Sequence, residues 1–406
     1  MKTIIFLKKK KIQSLRSLAK SLVVLVCLIV GSMFAKDQQV IVTVSNPIEL
    51  NRPNETIAIP WNALKQYLPT LDSTNVLVLD AKTNNELVTQ VMNDDRTNAP
   101  QELIFQSSIG SKEVKQFIVQ AVKRERKIIT SLTDARFMVP REDVAWENDR
   151  IAHRMYGPAL AKESNNGIDV WTKRVRYLIV EKWYHDDELP GSARLPYHID
   201  RGEGADFYDV GRSLGDGSCA LYENDSLYQP GVFETHKILS TGPIRAKFEV
   251  TYKPVIFHGR KILEVKRILL DAGSNLNKIE VTYRCDSVTE KVPFAVGNVK
   301  RKGVLSYKDS ERKCVSLWGA TNDNAENGAL GTGIVMPKEY FFGIKEDNKH
   351  VLILGTIALN KTATYFAGAG WTRSGDFHSA DDWNKYLKEY SERLEAPLQI
   401  SLSVGK

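Results

Sequence analysis

The chain has 406 residues and a formal charge of +7, from 56 Lys plus Arg against 49 Asp plus Glu. Seven of the basic residues (Lys2, Lys8, Lys9, Lys10, Lys11, Arg16 and Lys20) fall within residues 1–35, which hold no acidic residue, so the remainder is formally neutral. The basic balance belongs to the leader and gives no argument for nucleic acid or an anionic membrane as partner.

That leader has the layout of a secretory signal. Lys8 to Lys11 form the charged region, Leu22 to Val30 the apolar run, and Gly31, Ser32 and Ala35 the small residues. The apolar run is too short to span a bilayer as a helix. Cleavage is expected after Ala35, with the periplasm as destination; a lipid anchor at Cys27 is the weaker alternative, because small residues do not precede it. The remaining cysteines, Cys219, Cys285 and Cys314, are odd in number and lack CxxC spacing, which argues against a disulfide framework or a structural zinc site. A single Cys285–Cys314 bridge is conceivable in that compartment.

Along the rest of the chain the apolar residues recur with period two. Val40, Val42 and Val44 open the pattern. Val76–Asp80 and Leu87–Val91 flank Thr83-Asn84-Asn85, a hairpin signal, and Leu103–Ile109 and Phe117–Val122 read as further strands. Phe248, Val250 and Tyr252 alternate with polar partners. His258-Gly259-Arg260 turns into Ile262–Leu270, and Ile279–Cys285, Val315–Trp318 and Val351–Ile357 follow. Short strands broken by Gly, Asn and Asp predict a mostly β fold, a large antiparallel sandwich of the galactose-mutarotase-like or lyase-like kind with a few short helices. Residues 36–406 read as one catalytic unit, with a weak boundary near Pro140. Val175–His185 and the segment after Ser379 are the helical stretches. Ser379 and Asp382 form a capping box, and Trp383, Tyr386, Leu387, Tyr390 and Leu394 make one apolar stripe. Pro397 ends it, and Leu398, Ile400 and Leu402 predict a closing strand.

Residues 141–245 depart from this grammar. Trp146-Glu147-Asn148-Asp149-Arg150, Trp171, Lys173, Tyr197-His198-Ile199-Asp200-Arg201-Gly202-Glu203-Gly204, Tyr208, Arg212, Tyr222, His236 and Arg245 crowd polar and aromatic side chains where a sheet would use Val and Ile. Gly368-Ala369-Gly370-Trp371 is a second concentration. Aromatic faces beside Arg and carboxylates suit a groove for a sugar ring. His198 and Asp200 point to the same side of an extended segment, as a tuned base or a metal-ligand pair would, although a satisfied structural histidine is the commoner arrangement. There is no GxSxG elbow, P-loop, HExxH or strand-linked GxGxxG, so nucleotide chemistry is not expected.

The segments Trp146–Arg150, Arg154-Met155-Tyr156-Gly157-Pro158-Ala159-Leu160, Gly167-Ile168-Asp169-Val170-Trp171, Tyr197–Gly204 and Gly368–Trp371 resemble a large family of secreted Bacteroidetes proteins. That family is classed as a domain of unknown function and occurs in polysaccharide-utilisation gene clusters. The likeness runs over nearly the whole mature chain. Similar proteins of bacteria that degrade ulvan, a sulfated algal polysaccharide, act as oligosaccharide dehydratases. The resemblance therefore implies a carbon–oxygen lyase that removes water from a non-reducing-end uronic acid and leaves a 4,5-unsaturated uronate.

Such a reaction needs the carboxylate neutralised, a base at C5–H and an acid at the C4 hydroxyl. Arg150, Arg212, Arg245 or Lys173 could hold the carboxylate, as could a divalent cation, although the sequence requires no cofactor. His198 is the candidate base, with Asp200 fixing its tautomer; Tyr222 and His236 are candidate acids. Asp149, Trp171, Glu203 and Trp371 complete the expected binding set. Two other readings stand beside this one: a non-catalytic carbohydrate-binding sandwich, and a uronate-specific hydrolase using paired carboxylates such as Asp149 and Glu203. The expected partner is an acidic oligosaccharide, with no nucleic acid and no membrane span; the oligomeric state is left open.

Overall fold

A computed structural model describes residues 39–122, 129–139, 141–286, 290–321 and 324–405. The signal segment with Cys27, and Pro140, lie outside the described residues.

The period-two apolar pattern becomes two apolar cores. The first belongs to a small sandwich near the N-terminus. One of its sheets runs in the order Gln399–Val404, Gln39–Ser45, Val114–Ala121, Val76–Asp80; the other runs Arg52–Pro60, Pro100–Ile109, Thr89–Asn93. Val40, Val42 and Val44 point inward at alternate positions and meet Ile57, Ile59, Phe105 and Phe117. The expected closing strand pairs with the first strand, so both ends of the described chain share one sheet. Asn84 takes the left-handed conformation of a tight turn, φ 58°. Its two flanking strands nevertheless part into different sheets, joined only by a bridge between Leu79 and Glu86. Where the sequence reads as one sandwich, the apolar interior thus divides. Polar contacts and a small cluster of Met92, Ile104 and Ile244 tie the two parts together.

The larger part is three antiparallel sheets around one core. The broad sheet runs in the order Phe233–Ser240, Arg245–Tyr252, Arg260–Asp271, Leu276–Arg284, Thr362–Trp371, Asn324–Val335, Cys314–Thr321, Leu305–Asp309. Facing it is a narrow sheet: Ser226–Tyr228, Asp216–Glu223, Lys291–Val299, His350–Ala358, Phe341–Glu346. The third sheet, Gly204–Asp206, Ile168–Lys173, Ile151–Met155, Asp143–Asn148, Thr133–Met138, adjoins the narrow one through a parallel bridge from Ile168 to Gly215. Its inner face (Val144, Trp146, Ile151, Met155, Val170) enters the same core as Phe248, Ile268 and Ile279 of the broad sheet. The chain is mostly β, as its pattern dictates.

The helix Ala380–Glu395 starts at Ser379, whose side chain accepts from Asp382 N. It buries Trp383 and Leu387 on the outer face of the broad sheet. A Cβ at Gly331, Gly333 or Gly370 would lie within 3 Å of Trp383, Leu387 or Phe377, so these glycines are the seat of that helix. The Gly368–Trp371 segment, part of the expected groove, is therefore packed from within the chain. Cys219 and Cys314 are buried, unbridged thiols, so the conceivable Cys285–Cys314 bridge does not form.

Candidate active site

The third sheet turns its outer face away from the core, and a segment spanning residues 174–203 folds over it. The helix of that segment, Val180–Asp187, begins five residues later than the sequence pattern suggested. Ile179 at its N-cap provides no side-chain acceptor. Glu147 supplies one from the sheet below: its carboxylate accepts from Ile179 N at 2.8 Å and Val180 N at 2.7 Å, the place where a helix start favours negative charge. Lys173 Nζ donates to the same carboxylate at 2.6 Å and to Asn148 O at 2.6 Å. Trp171, Tyr184 and Tyr197 stack beside this pair, with Trp171 and Tyr197 ring centroids 4.6 Å apart.

Beyond the stacked rings lies a buried ionic network. Arg154 and Asp169 are cross-strand partners, as are Trp171 and Asp206, so strand register places all four on one face. Arg154 donates to Asp169 Oδ2 from Nε at 3.0 Å and Nη2 at 2.6 Å, to Asp206 Oδ2 at 3.2 Å and to the Tyr197 hydroxyl at 3.1 Å. Asp143 lies 3.9 Å from the same guanidinium and accepts from the Tyr184 hydroxyl at 3.0 Å. Arg141 reaches in from the rim to the Tyr197 hydroxyl at 2.8 Å and to Asp187.

Three carboxyls thus share one central cation in a dry setting. Burial pushes Asp143 up to about 6, against the pull of Arg154 and the Tyr184 hydroxyl. Burial also raises Asp169 and Asp206, Asp206 well above the ordinary range, and Arg154 only partly offsets it. Carboxyls crowded this way resist ionising together, and Arg154 is the cation that opposes this.

His198 is the exposed end of this network. Its side chain is 59% accessible, and Nδ1 lies 3.2 Å from the backbone oxygen of Asp206 and 3.5 Å from that residue's carboxylate. A carbonyl only accepts, so Nδ1 carries the proton and Nε2 faces outward as an acceptor. Asp200, the expected tautomer partner, is engaged elsewhere. It accepts from Gly202 N at 2.8 Å and Gly204 N at 3.1 Å, and pairs with Arg174 at 3.2 Å and Arg373 at 3.4 Å. Only glycine suits the turn at position 204: φ is +119° and a Cβ would meet Thr172 O at 2.0 Å.

Asp376 continues the row, taking Arg150 at 2.5 Å and Arg176 at 2.9 Å. Asp149 accepts from Gly273 N at 2.6 Å and forms an ion pair with Arg150, Oδ2 lying 3.2 Å from Nε. Four arginines therefore flank residues 372–376 against three carboxylates. Arg174 and Arg373 keep 41% and 38% of their side chains accessible.

The other expected residues disperse. Trp171, Lys173 and Trp371 are fully buried, forming floor and core rather than a wall a ligand could touch. Trp371 packs toward Phe207 and donates to Asn327 O at 2.8 Å. Tyr222 is on the outer face of the narrow sheet, its hydroxyl donating to Asp225 at 2.8 Å. His236 stacks on Phe137 at 4.0 Å, and Arg212 hydrogen-bonds Lys162 O at 3.2 Å. Arg245 grips Asp271 through two contacts of 2.5 and 2.7 Å, lining a cavity of about 410 Å³ together with Arg150. Glu203 accepts from Lys182 at 2.7 Å, Tyr177 at 2.5 Å and Trp183 at 3.1 Å. His153 is sealed in the core, where burial drives it down to about 3. Sequence reasoning missed Arg154, Asp169, Asp206 and Asp143 as site residues. The available signal was a charge inside otherwise apolar strands, Ile-Ala-His-Arg-Met and Ile-Asp-Val-Trp.

A family model described as "Domain of unknown function (DUF4861)" matches residues 44–400. The chain belongs to this family. "Uncharacterized protein P7" of Formosa agariphila is 30% identical over 380 residues, spanning 89% of this chain and 93% of P7. Among solved structures, an α-mannosidase of Enterococcus faecalis V583 aligns with TM-score 0.50 and 10% identity over 91% of this DUF4861 chain and 46% of its own. A glycosyl hydrolase family 38 protein of Enterococcus faecalis aligns with TM-score 0.48 and 11% identity over 92% of the chain and 48% of its own. The chain spans about half the length of these structures, and the α-mannosidase match concerns the fold alone. Among the described residues no helix is long and apolar enough to cross a membrane, and no three His, Cys, Asp or Glu side chains are arranged to hold a metal ion.

Proposed function

We propose that this DUF4861 protein is a carbohydrate-active dehydratase that removes water from the non-reducing-end uronic acid of an oligosaccharide such as those from ulvan. The observation that carries the reading is His198: an exposed imidazole whose Nδ1 is held on Asp206 at the edge of the Arg154 network, two residues before Asp200, which pairs with Arg174 and Arg373. Likeness of fold to an α-mannosidase agrees with a carbohydrate ligand.

In this mechanism the substrate carboxylate lies against Arg174 and Arg373, whose guanidiniums take up the charge that grows as C5 loses its proton. The C5–H bond breaks toward His198 Nε2, and the Asp206 backbone oxygen that accepts from Nδ1 stabilises the imidazolium. The C4–O bond then breaks, and the departing hydroxide leaves as water with the proton returned by His198. Tyr222 and His236 sit on other elements, so His198 is given both proton steps. Asp200 acts here by positioning the two arginines.

A hydrolase built on Asp149 and Glu203 would need one of them protonated. Burial pushes Glu203 up, but hydrogen bonds from Lys182, Tyr177 and Trp183 outweigh it and hold the carboxyl below its ordinary value. Both carboxylates are also committed to internal partners.

The test uses oligosaccharides ending in a saturated uronic acid, followed by ultraviolet absorbance of the conjugated product and by mass spectrometry. Rising absorbance with loss of one water and an unbroken chain is expected. Shortened chains would make the protein a lyase of the polymer or a hydrolase, and binding without chemistry would make it a carbohydrate-binding module.

A further inference from the structure

The outer face of the broad sheet is only partly covered. The helix Ala380–Glu395 sits over one end, and beyond it the face is bordered by Pro53–Thr56 and by the turn that carries Asp95 and Arg96. Strand register decides what lines that stretch. Lys278 pairs across with Phe366, Glu280 with Thr364 and Thr282 with Thr362, while Leu269, Arg267 and Val265 oppose the same three residues on the other side. These positions all share one parity and therefore one face. The cavity holding Arg150 and Arg245 reaches Lys278 and Phe366, and a second hollow of about 370 Å³ begins two residues along, at Glu280 and Thr282. The two hollows follow one another along this face and are together called the trough. From Lys278 to Thr282 it extends about 13 Å along the strand, at about 3.3 Å per residue.

The far hollow has an unusual charge arrangement. Arg267 is ion-paired there with Asp95, Glu249 and Glu280. Two further guanidiniums line the same hollow from different parts of the fold. Arg96 comes from the turn between Thr89–Asn93 and Pro100–Ile109, and Arg284 ends the strand Leu276–Arg284. Both side chains are exposed, and among the described residues neither has a carboxylate within ion-pair distance. The floor between them is hydroxyl-rich, with Thr282 and Thr362 hydrogen-bonded at 2.8 Å. Unpaired guanidiniums facing each other across such a floor match a ligand with hydroxyls and one anionic group.

We propose that this trough is a second glycan-binding site that takes inner units of an acidic oligosaccharide, with Arg96 and Arg284 holding a carboxylate or sulfate ester of an inner sugar. The near end opens at Arg150, whose guanidinium also pairs with Asp376 in the arginine row. A chain whose end lies at His198 therefore has a charged path into the trough. The choice of an anionic glycan rests on the function proposed above, whereas the trough's own binding can be measured without turnover.

The experiment is native gel electrophoresis of the mature protein in gels cast with or without ulvan, comparing wild type with Arg96→Ala/Arg284→Ala. An unchanged melting midpoint checks that the variant is folded. The expected result is wild-type retardation by ulvan and roughly tenfold weaker apparent binding by the double variant, with turnover of a disaccharide unchanged. Equal retardation of the two proteins, or none of the wild type, would overturn the proposal. Retardation lost in the variant while neither protein makes unsaturated ends would keep the trough and remove the dehydratase.

Discussion

Replacing Arg154 with Met keeps much of the side chain's length and removes its charge. The wild-type guanidinium makes four hydrogen bonds of 3.2 Å or less to Asp169, Asp206 and Tyr197, with Asp143 at 3.9 Å. Leaving buried carboxyls without their cation costs about 3–5 kcal/mol, a large share of the roughly 5–15 kcal/mol that holds a domain together. At about 2–4 °C per kcal/mol for a protein of this size class, the melting midpoint should fall by roughly 10 °C at pH 8.

Acid should relieve part of the loss. A carboxyl whose folded pKa is raised contributes stability that is present below its unfolded value and lost as pH rises through the folded value. For Asp143 that window runs from 3.8 to about 6, and removing Arg154 raises it further. Urea midpoints of wild type and Arg154→Met at pH 5 and pH 8 measure both effects. A deficit under about 1 kcal/mol at pH 8, or an equal deficit at both pH values, would refute the shared-cation account.

Asp143→Asn removes a titrating group, so its stability relative to wild type should climb by up to about 3 kcal/mol between pH 4 and pH 8, read from urea midpoints. Glu147→Ala should destabilise by about 3–5 kcal/mol because it strands Lys173 in the interior, and Glu147→Ala/Lys173→Met should recover most of that loss in a denaturation cycle. Arg174→Gln and Arg373→Gln should each lower kcat/KM by roughly 10- to 100-fold with melting midpoints nearly unchanged, since both side chains are substantially exposed.

How much of this was legible in the sequence depends on how local the causes are. Val40, Val42 and Val44 announce a strand because alternation is a property of consecutive residues, and Ser379 with Asp382 announces a helix start for the same reason. The start of the helix Val180–Asp187 was not legible, because its acceptor is Glu147, more than thirty residues earlier on another strand. Gly370 is the seat of Phe377 and Trp383, a contact set by how the following helix folds back and so absent from the local pattern. His198 was visible as a candidate. Spacing points to Asp200 as its partner, yet a tight turn at Gly202 and Gly204 carries Asp200 to the arginines and brings Asp206 beneath the ring. The three-carboxyl network depends on the pairing of Arg154 with Asp169 and of Trp171 with Asp206, and register of that kind is not written in any one segment.

The central claim is that His198 takes the C5 proton of a uronate, and the most direct test is the absorbance time course of wild type and His198→Ala on one uronate-ended oligosaccharide. The account expects wild type to generate unsaturated ends and the variant to do so about 10²- to 10⁴-fold more slowly, with an unchanged melting midpoint, because the imidazole is largely exposed. Equal rates for the two proteins would contradict it.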